Sequence, residues 1–318
     1  MNEALNQLAE DFFKNSLNTS PTSAIMRGYK EYFDQIEELT DTKFDQNLID
    51  LNKFEKRLNE IDFNNLSNKE KVTYGMLEYA FGSNKDSLLD KSWEFGAGVS
   101  GFTGYLIDYN QQMFIPDLES ADLLLKRLEL YNQFFNQVSA VQKKGLDNNR
   151  VATERNLLRT IDQIESYLKT SLESDPLLLV NFSPEISEED VNSWKDKAKL
   201  IIESYVRPSV NSYLEQLKSE HLPKGRSDTN PGIMWIEGGE DIYLRSLRKF
   251  TGNKDITVKE VHETGLSEIE RLKKEFFDIG KNVFEDVTTP EEVLYKMQTE
   301  PSMRFESKEQ MLQMAEDI

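Results

Sequence analysis

Residues 257–272, TVKEVHETGLSEIERL, decide the fold class. Thr257 and Glu260 have the S/T-x-x-E spacing of a capping box, in which each side chain satisfies a backbone N–H that a helix start leaves open. Behind the box, Val258, Val261, Leu266, Ile269, Leu272 and Phe276 recur at the spacing of one helical face. The stretch therefore predicts a long amphipathic helix over roughly 257–281. It also contains His262-Glu263. A zinc metalloprotease helix would place a second histidine four positions after the first, so that both imidazoles face the metal. That place holds Leu266, which cannot ligate. Glu268 points to another face and Glu270 lies too far along. His262 sits at the edge of the apolar stripe and reads as a partly buried, hydrogen-bonded histidine.

The same pattern extends outward in both directions. Leu5, Leu8, Phe12 and Leu17 mark a helix over 2–17, and Phe44, Leu48, Leu51, Phe54, Leu58 and Ile61 mark another over 44–61. Ser67 with Glu70 and Thr289 with Glu292 repeat the capping box, the latter with Pro290 at the first helical position. Further helices are expected over roughly 119–144, 148–173, 187–219 and 289–298. No alternating strand pattern persists. The expected class is all-α, with long antiparallel helices and irregular Gly/Pro loops at 82–116 and 221–241. Acidic groups such as Glu119/Asp122 and Glu188/Glu189/Asp190 fall in first turns, where they favour the helix macrodipole.

Composition narrows the chemistry. The 318 residues carry 57 acidic and 38 basic side chains, a formal charge of −19. Such a field disfavours nucleic acid and anionic membranes, which need clustered Lys and Arg. The chain has no cysteine, which excludes disulfides, thiol nucleophiles and Cys-based metal sites, and only two histidines, His221 and His262. The N-terminal MNEALNQLAEDFFKNSL lacks the basic segment and apolar stretch of a signal peptide, so the chain as written is expected in the cytoplasm. No apolar run has the length of a membrane span. FGAGVSGF at 95–102 contains a literal G-x-G-x-x-G at Gly96, Gly98 and Gly101. No hydrophobic strand precedes it and no βαβ unit follows, so it reads as a glycine-rich connection between helices.

The segment 206–272 carries more. It contains V-x-P at Pro208, then Leu222-Pro223-Lys224-Gly225-Arg226, Gly239, Tyr243, Thr251, and the helix Glu260 through Leu272. In order and spacing these parts resemble the bacterial domain-of-unknown-function 885 family, whose final helix reads "E-(I/V)-H-x-x-G-L-x-E-(V/I)-x-R-(I/L)". Weaker resemblance covers nearly the whole chain, in SPTSAIMRGYKEYFD at 20–34, DLESADLLLKRLELYNQFF at 117–135 and DPLL at 175–178.

The resemblance implies an N-terminal part, spanning 1–318, of one large helical domain of the gluzincin-like zinc metallopeptidase kind, with a possible subdivision near 82–116. The family's H-E-x-x-P-G-H-H-type zinc motif lies downstream of FESKEQMLQMAEDI, so the zinc-binding half is expected beyond Ile318. Zinc ligands and general base have no matching positions here. The expectation is therefore no catalytic residue, no metal ligand and no cofactor in this chain, with zinc present only where that half is present. Arg226, Tyr243 and His262 match motif positions and are the candidates for lining a cleft that holds peptide. A guanidinium, a phenol and an imidazole could each grip a peptide carbonyl or carboxylate. Many relatives look exported, unlike this chain as written. The alternative reading is a non-catalytic helical module that binds peptides or a partner protein.

Overall fold

A computed structural model of the chain describes residues 2–97 and 109–317. The chain divides into two compact units, Met1–Arg245 and Ser246–Ile318. Both are built from helices, as expected. Gly98 and Gly101, and part of the stretch 82–116, lie outside the described residues.

In the first unit, the helices Glu3–Thr19, Asp41–Asn59 and Asn68–Asp90 pack on one another through Leu5, Leu8, Leu51, Leu58, Leu77 and Phe81. Phe12 meets Phe81 edge-on, with ring centroids 4.8 Å apart. The predicted Ser67/Glu70 capping box is present. The Glu70 carboxylate also accepts the backbone N–H of Asn2, which ties the start of the first helix to the start of the third. These bonds, chiefly those from Ser67, hold its carboxyl down at about 2.

A larger core follows, around the helices Leu118–Glu129, Tyr131–Asp147, Glu154–Lys169 and the helical run from Glu188 to His221. Several boundaries differ from the sequence reading, two of them by a break or a late start. The helix expected over 119–144 breaks at Leu130, and the one expected from 148 starts at Glu154, because Thr153 is its N-cap and accepts the N–H of Asn156. The short strands Phe114–Ile115 and Asn181–Phe182 pair in parallel, a minor exception to the helical plan. Trp194 buries its ring and donates from Nε1 to the carbonyl of Ala121 at 2.8 Å, so its one polar atom is satisfied.

The run from Glu188 to His221 twice widens into π-helical turns, at Ile202–Val206 and Leu217–His221. Each ends just before an X-Pro pair, Arg207-Pro208 and Leu222-Pro223. Proline has no N–H to give to the carbonyl four residues back, and its ring crowds that carbonyl. The wider turn absorbs the mismatch: Arg207 donates its N–H to Ile202, five residues back, and Leu222 does the same to Leu217.

The second unit contains the helices Val258–Val283, Pro290–Thr299 and Lys308–Glu316. The capping boxes at Thr257/Glu260 and Thr289/Glu292 both form. At Ser307 half of one forms: its hydroxyl accepts from Gln310, while the Gln310 side chain reaches the N–H of Glu306 instead. Phe284, Val287 and Val293, with Phe276 and Phe277, make a small core. A Cβ at Gly280 would sit 2.5 Å from both γ-carbons of Val293, so only glycine allows these two helices their spacing. Among the described residues no helix is long and apolar enough to cross a membrane.

Candidate functional site

The segment that follows His221 is pinned to the helix Glu154–Lys169. A side chain at Gly225 would meet the Cα of Glu154 at 3.0 Å, so glycine lets the backbones approach. Arg226 then adds a short parallel bridge: its N–H donates to Ala152 at 3.1 Å and its carbonyl accepts from Glu154 at 2.9 Å. The Arg226 side chain turns back into the same seam. Its Nε donates to the carbonyl of Val151 at 2.7 Å, and Nη1 donates to those of Asn230 and Gly232 at 2.9 and 2.8 Å. Burial lowers the pKa of the guanidinium. The primary role of Arg226 within the unit is that of a staple for the irregular segment 225–232, whose carbonyls would otherwise lack partners.

The segment closes on two glycines. Gly238 has φ +71, the left-handed region that other residues resist. A Cβ at Gly239 would lie 1.8 Å from the carbonyl oxygen of Ile233. This contact explains physically why the motif has glycine four places before its tyrosine. The helix Gly239–Thr251 begins there, buries Ile242, and leaves Tyr243 41% exposed. The Tyr243 hydroxyl has no hydrogen-bond partner among the described residues. Arg245 pairs with Asp90 and so anchors this helix to the end of the helix Asn68–Asp90.

His221 is a core residue. It is 2% exposed, with Nδ1 3.4 Å from the carbonyl of Gln216, and burial lowers its pKa below the ordinary value. His262 is exposed on the helix Val258–Val283 and has no partner among the described residues. The expectation of a partly buried, hydrogen-bonded imidazole is thus corrected: the apolar stripe beside it is itself uncovered. Glu263 next to it pairs with Lys259 at 3.6 Å. Arg226 and Tyr243 belong to the first unit and His262 to the second. Among the described residues no group of three or more His, Asp or Glu side chains could hold a metal ion.

Sequence reasoning missed the buried charged pairs, of which Asp175 with Arg207 has the most deeply buried carboxylate. Asp175 is fully buried; its carboxylate accepts the N–H of Leu177 and takes Nη2 of Arg207 at 2.9 Å and Nε at 3.2 Å. Arg207 also donates to the carbonyl of Thr170 at 2.8 Å and lies over the ring of Tyr167, 5.7 Å from its centre. Burial, and then the Asp175 charge, raise the pKa of Tyr167. The signal was present in two separate motifs, DPLL and V-R-P, with nothing local to join them.

A family model described as "Bacterial protein of unknown function (DUF885)" matches residues 21–318. No curated protein matches the chain. Among solved structures, the chain is similar to a crystal structure described as a "putative lipoprotein" from Colwellia psychrerythraea, with TM-score 0.79 and 16% identity. The likeness covers 99% of this chain and 58% of the Colwellia chain, so this chain spans little more than half the length of that protein. At this identity the likeness is one of fold.

Proposed function

The chain belongs to the DUF885 family, and we propose on that premise that it is the N-terminal, helical part of a peptide-acting hydrolase of the metallopeptidase-like kind. The coverage supports the first part of this reading, since essentially all of this chain is similar in fold to little more than half of a longer protein, while the peptide-hydrolase part rests on the family resemblance. The residues described here do not fit zinc, since Leu266 stands where a second imidazole would be and no alternative cluster exists among them. No bond-breaking step is therefore assigned to them. Their role in this reading is to hold substrate.

His262 and Tyr243 suit that role because both are exposed and neither is engaged inside the fold. An imidazole N–H and a phenol O–H can each donate to a peptide carbonyl or a terminal carboxylate. Arg226 contributes chiefly by fixing the segment that leads to Tyr243. The Colwellia protein is described as a "putative lipoprotein", which favours export in this reading.

The test uses the polypeptide as its source makes it, alongside the 318-residue chain. The 318-residue chain should hold no stoichiometric zinc and cleave no peptide. The native polypeptide should be longer, hold zinc and hydrolyse peptides, with His262→Ala raising KM about 10-fold, the scale of one lost hydrogen bond. A native polypeptide that is inert toward a peptide library, or a 318-residue chain with chelator-sensitive peptidase activity, would overturn the proposal.

A further inference from the structure

The helix Val258–Val283 leaves most of its best-ordered apolar row uncovered. From Ile269, the residues Leu272, Phe276, Ile279 and Val283 follow at steps of three, four, three and four, and the same steps run backward through Gly265 and His262 to Val258. That is the 3.5-residue repeat with which one helix seats another in a coiled-coil seam. An amphipathic helix normally turns such a row into a core. Here Ile269, Leu272 and Ile279 are 50, 52 and 64% exposed. An open groove of about 500 Å³ runs along them, bordered by Lys273 and Glu275. The helix packs inside its own unit through Phe276, Phe277 and Gly280, against Val293 and its neighbours, so Phe276 is half-covered while Ile269, Leu272 and Ile279 stay open.

We infer that this seam is the docking site for one further helix, contributed by the polypeptide that completes the longer fold. The inference rests on the reading of this chain as part of such a fold. The Colwellia chain extends well beyond the region this chain covers, so that architecture has further polypeptide from which a partner could come. The rims state its chemistry. Lys259 and Lys273 flank the seam on one side, Glu268 and Glu275 on the other. The incoming helix therefore carries an apolar row at the same repeat, with carboxylates facing the lysine rim and basic groups facing the glutamate rim. It also brings a bulky side chain to the gap above Gly265, where nothing stands within 4 Å of a would-be Cβ.

A second copy of this chain fits the seam less well in either direction. A parallel pair would stack His262 on His262 and Gly265 on Gly265, which leaves an empty, polar stretch in the interface. An antiparallel pair would set Glu268 against Glu275 of the other copy, a like-charge contact that weakens pairing.

The 318 residues contain no cysteine, so a thiol placed among them can be followed at its own peptide. Leu272→Cys puts a single thiol in the seam, and Lys274→Cys puts one on the opposite, outer face of the same helix. Maleimide labelling is followed in the 318-residue chain and in the native-length polypeptide, whose intact mass is measured alongside. In the 318-residue chain both thiols should react alike. In a longer polypeptide the Leu272→Cys thiol should react about 100-fold more slowly, as for a site that must open locally first, while Lys274→Cys stays fast. Equal rates in a longer polypeptide would overturn the docking inference and leave the proposed function standing. A native mass of 36.9 kDa would overturn both. Disulfide-linked dimers of Leu272→Cys at that mass would assign the seam to a second copy instead.

Discussion

Arg207 reaches across the first unit to Asp175 and holds it with two N–H bonds, at 2.9 Å from Nη2 and 3.2 Å from Nε. Asp175 is fully buried and the Arg207 side chain is only 18% exposed, so water cannot replace either partner. Breaking a buried pair from one side leaves an uncompensated charge. Asp175→Ala should therefore cost about 3–5 kcal/mol, the range for such pairs, read as a lower urea midpoint at unchanged slope. A loss under about 1 kcal/mol, the scale of a surface pair, would mean that the pair is solvated.

Two glycines of one helix should respond with opposite sign. Gly265 is exposed with no atom within 4 Å of a Cβ, so Gly265→Ala should stabilise by about 1 kcal/mol through helix propensity alone. At Gly280 the same methyl would strike Val293, and overpacking costs typically 1–3 kcal/mol, about enough to reverse the propensity gain. Hydrogen exchange across 284–299 should speed up in Gly280→Ala and not in Gly265→Ala.

Acid should loosen the N-terminal helices through Glu70. Its folded pKa lies at about 2, against an ordinary 4.5, because Ser67 and the N–H of Asn2 bind the carboxylate. A depressed carboxyl contributes stability that is complete above the ordinary value and is lost as pH falls toward the folded one. Between pH 4.5 and 2 the wild-type chain should lose stability faster than Glu70→Gln, which keeps an acceptor but does not titrate. Parallel pH profiles for the two chains would contradict this.

His221 should act in a higher window. Burial lowers its folded pKa from 6.5, so the unfolded chain takes up a proton that the folded chain resists. Stability then falls as pH drops below about 6.5, the unfolded value. Thermal melts between pH 7.5 and 5.5 should show a shallower decline in His221→Gln than in wild type.

Much of the candidate site could be read in sequence, though unevenly. Thr257/Glu260 and Thr289/Glu292 were legible because each box joins residues three apart. Gly239 and Tyr243 were legible as a motif, but the reason for the glycine, the carbonyl of Ile233, appears only in the folded segment. Arg226 was singled out for substrate binding, yet its first partners are carbonyls from residues 151, 230 and 232, the first of them far away in sequence. His262 was expected at a partly buried edge and stands exposed, because periodicity marks an apolar face without saying what covers it.

The sequence by itself determined most of the helices and the capping boxes at Ser67, Thr257 and Thr289, since these depend on neighbours within one or two turns. The N-terminal start of nearly every long helix follows from such local bonds. Only the tertiary structure decided that Asp175 meets Arg207, that Arg226 is a staple, and that Val258–Val283 keeps an open seam. Those outcomes depend on packing between segments distant in sequence, where an apolar stripe is the same signal whether it ends in a core or waits for a partner.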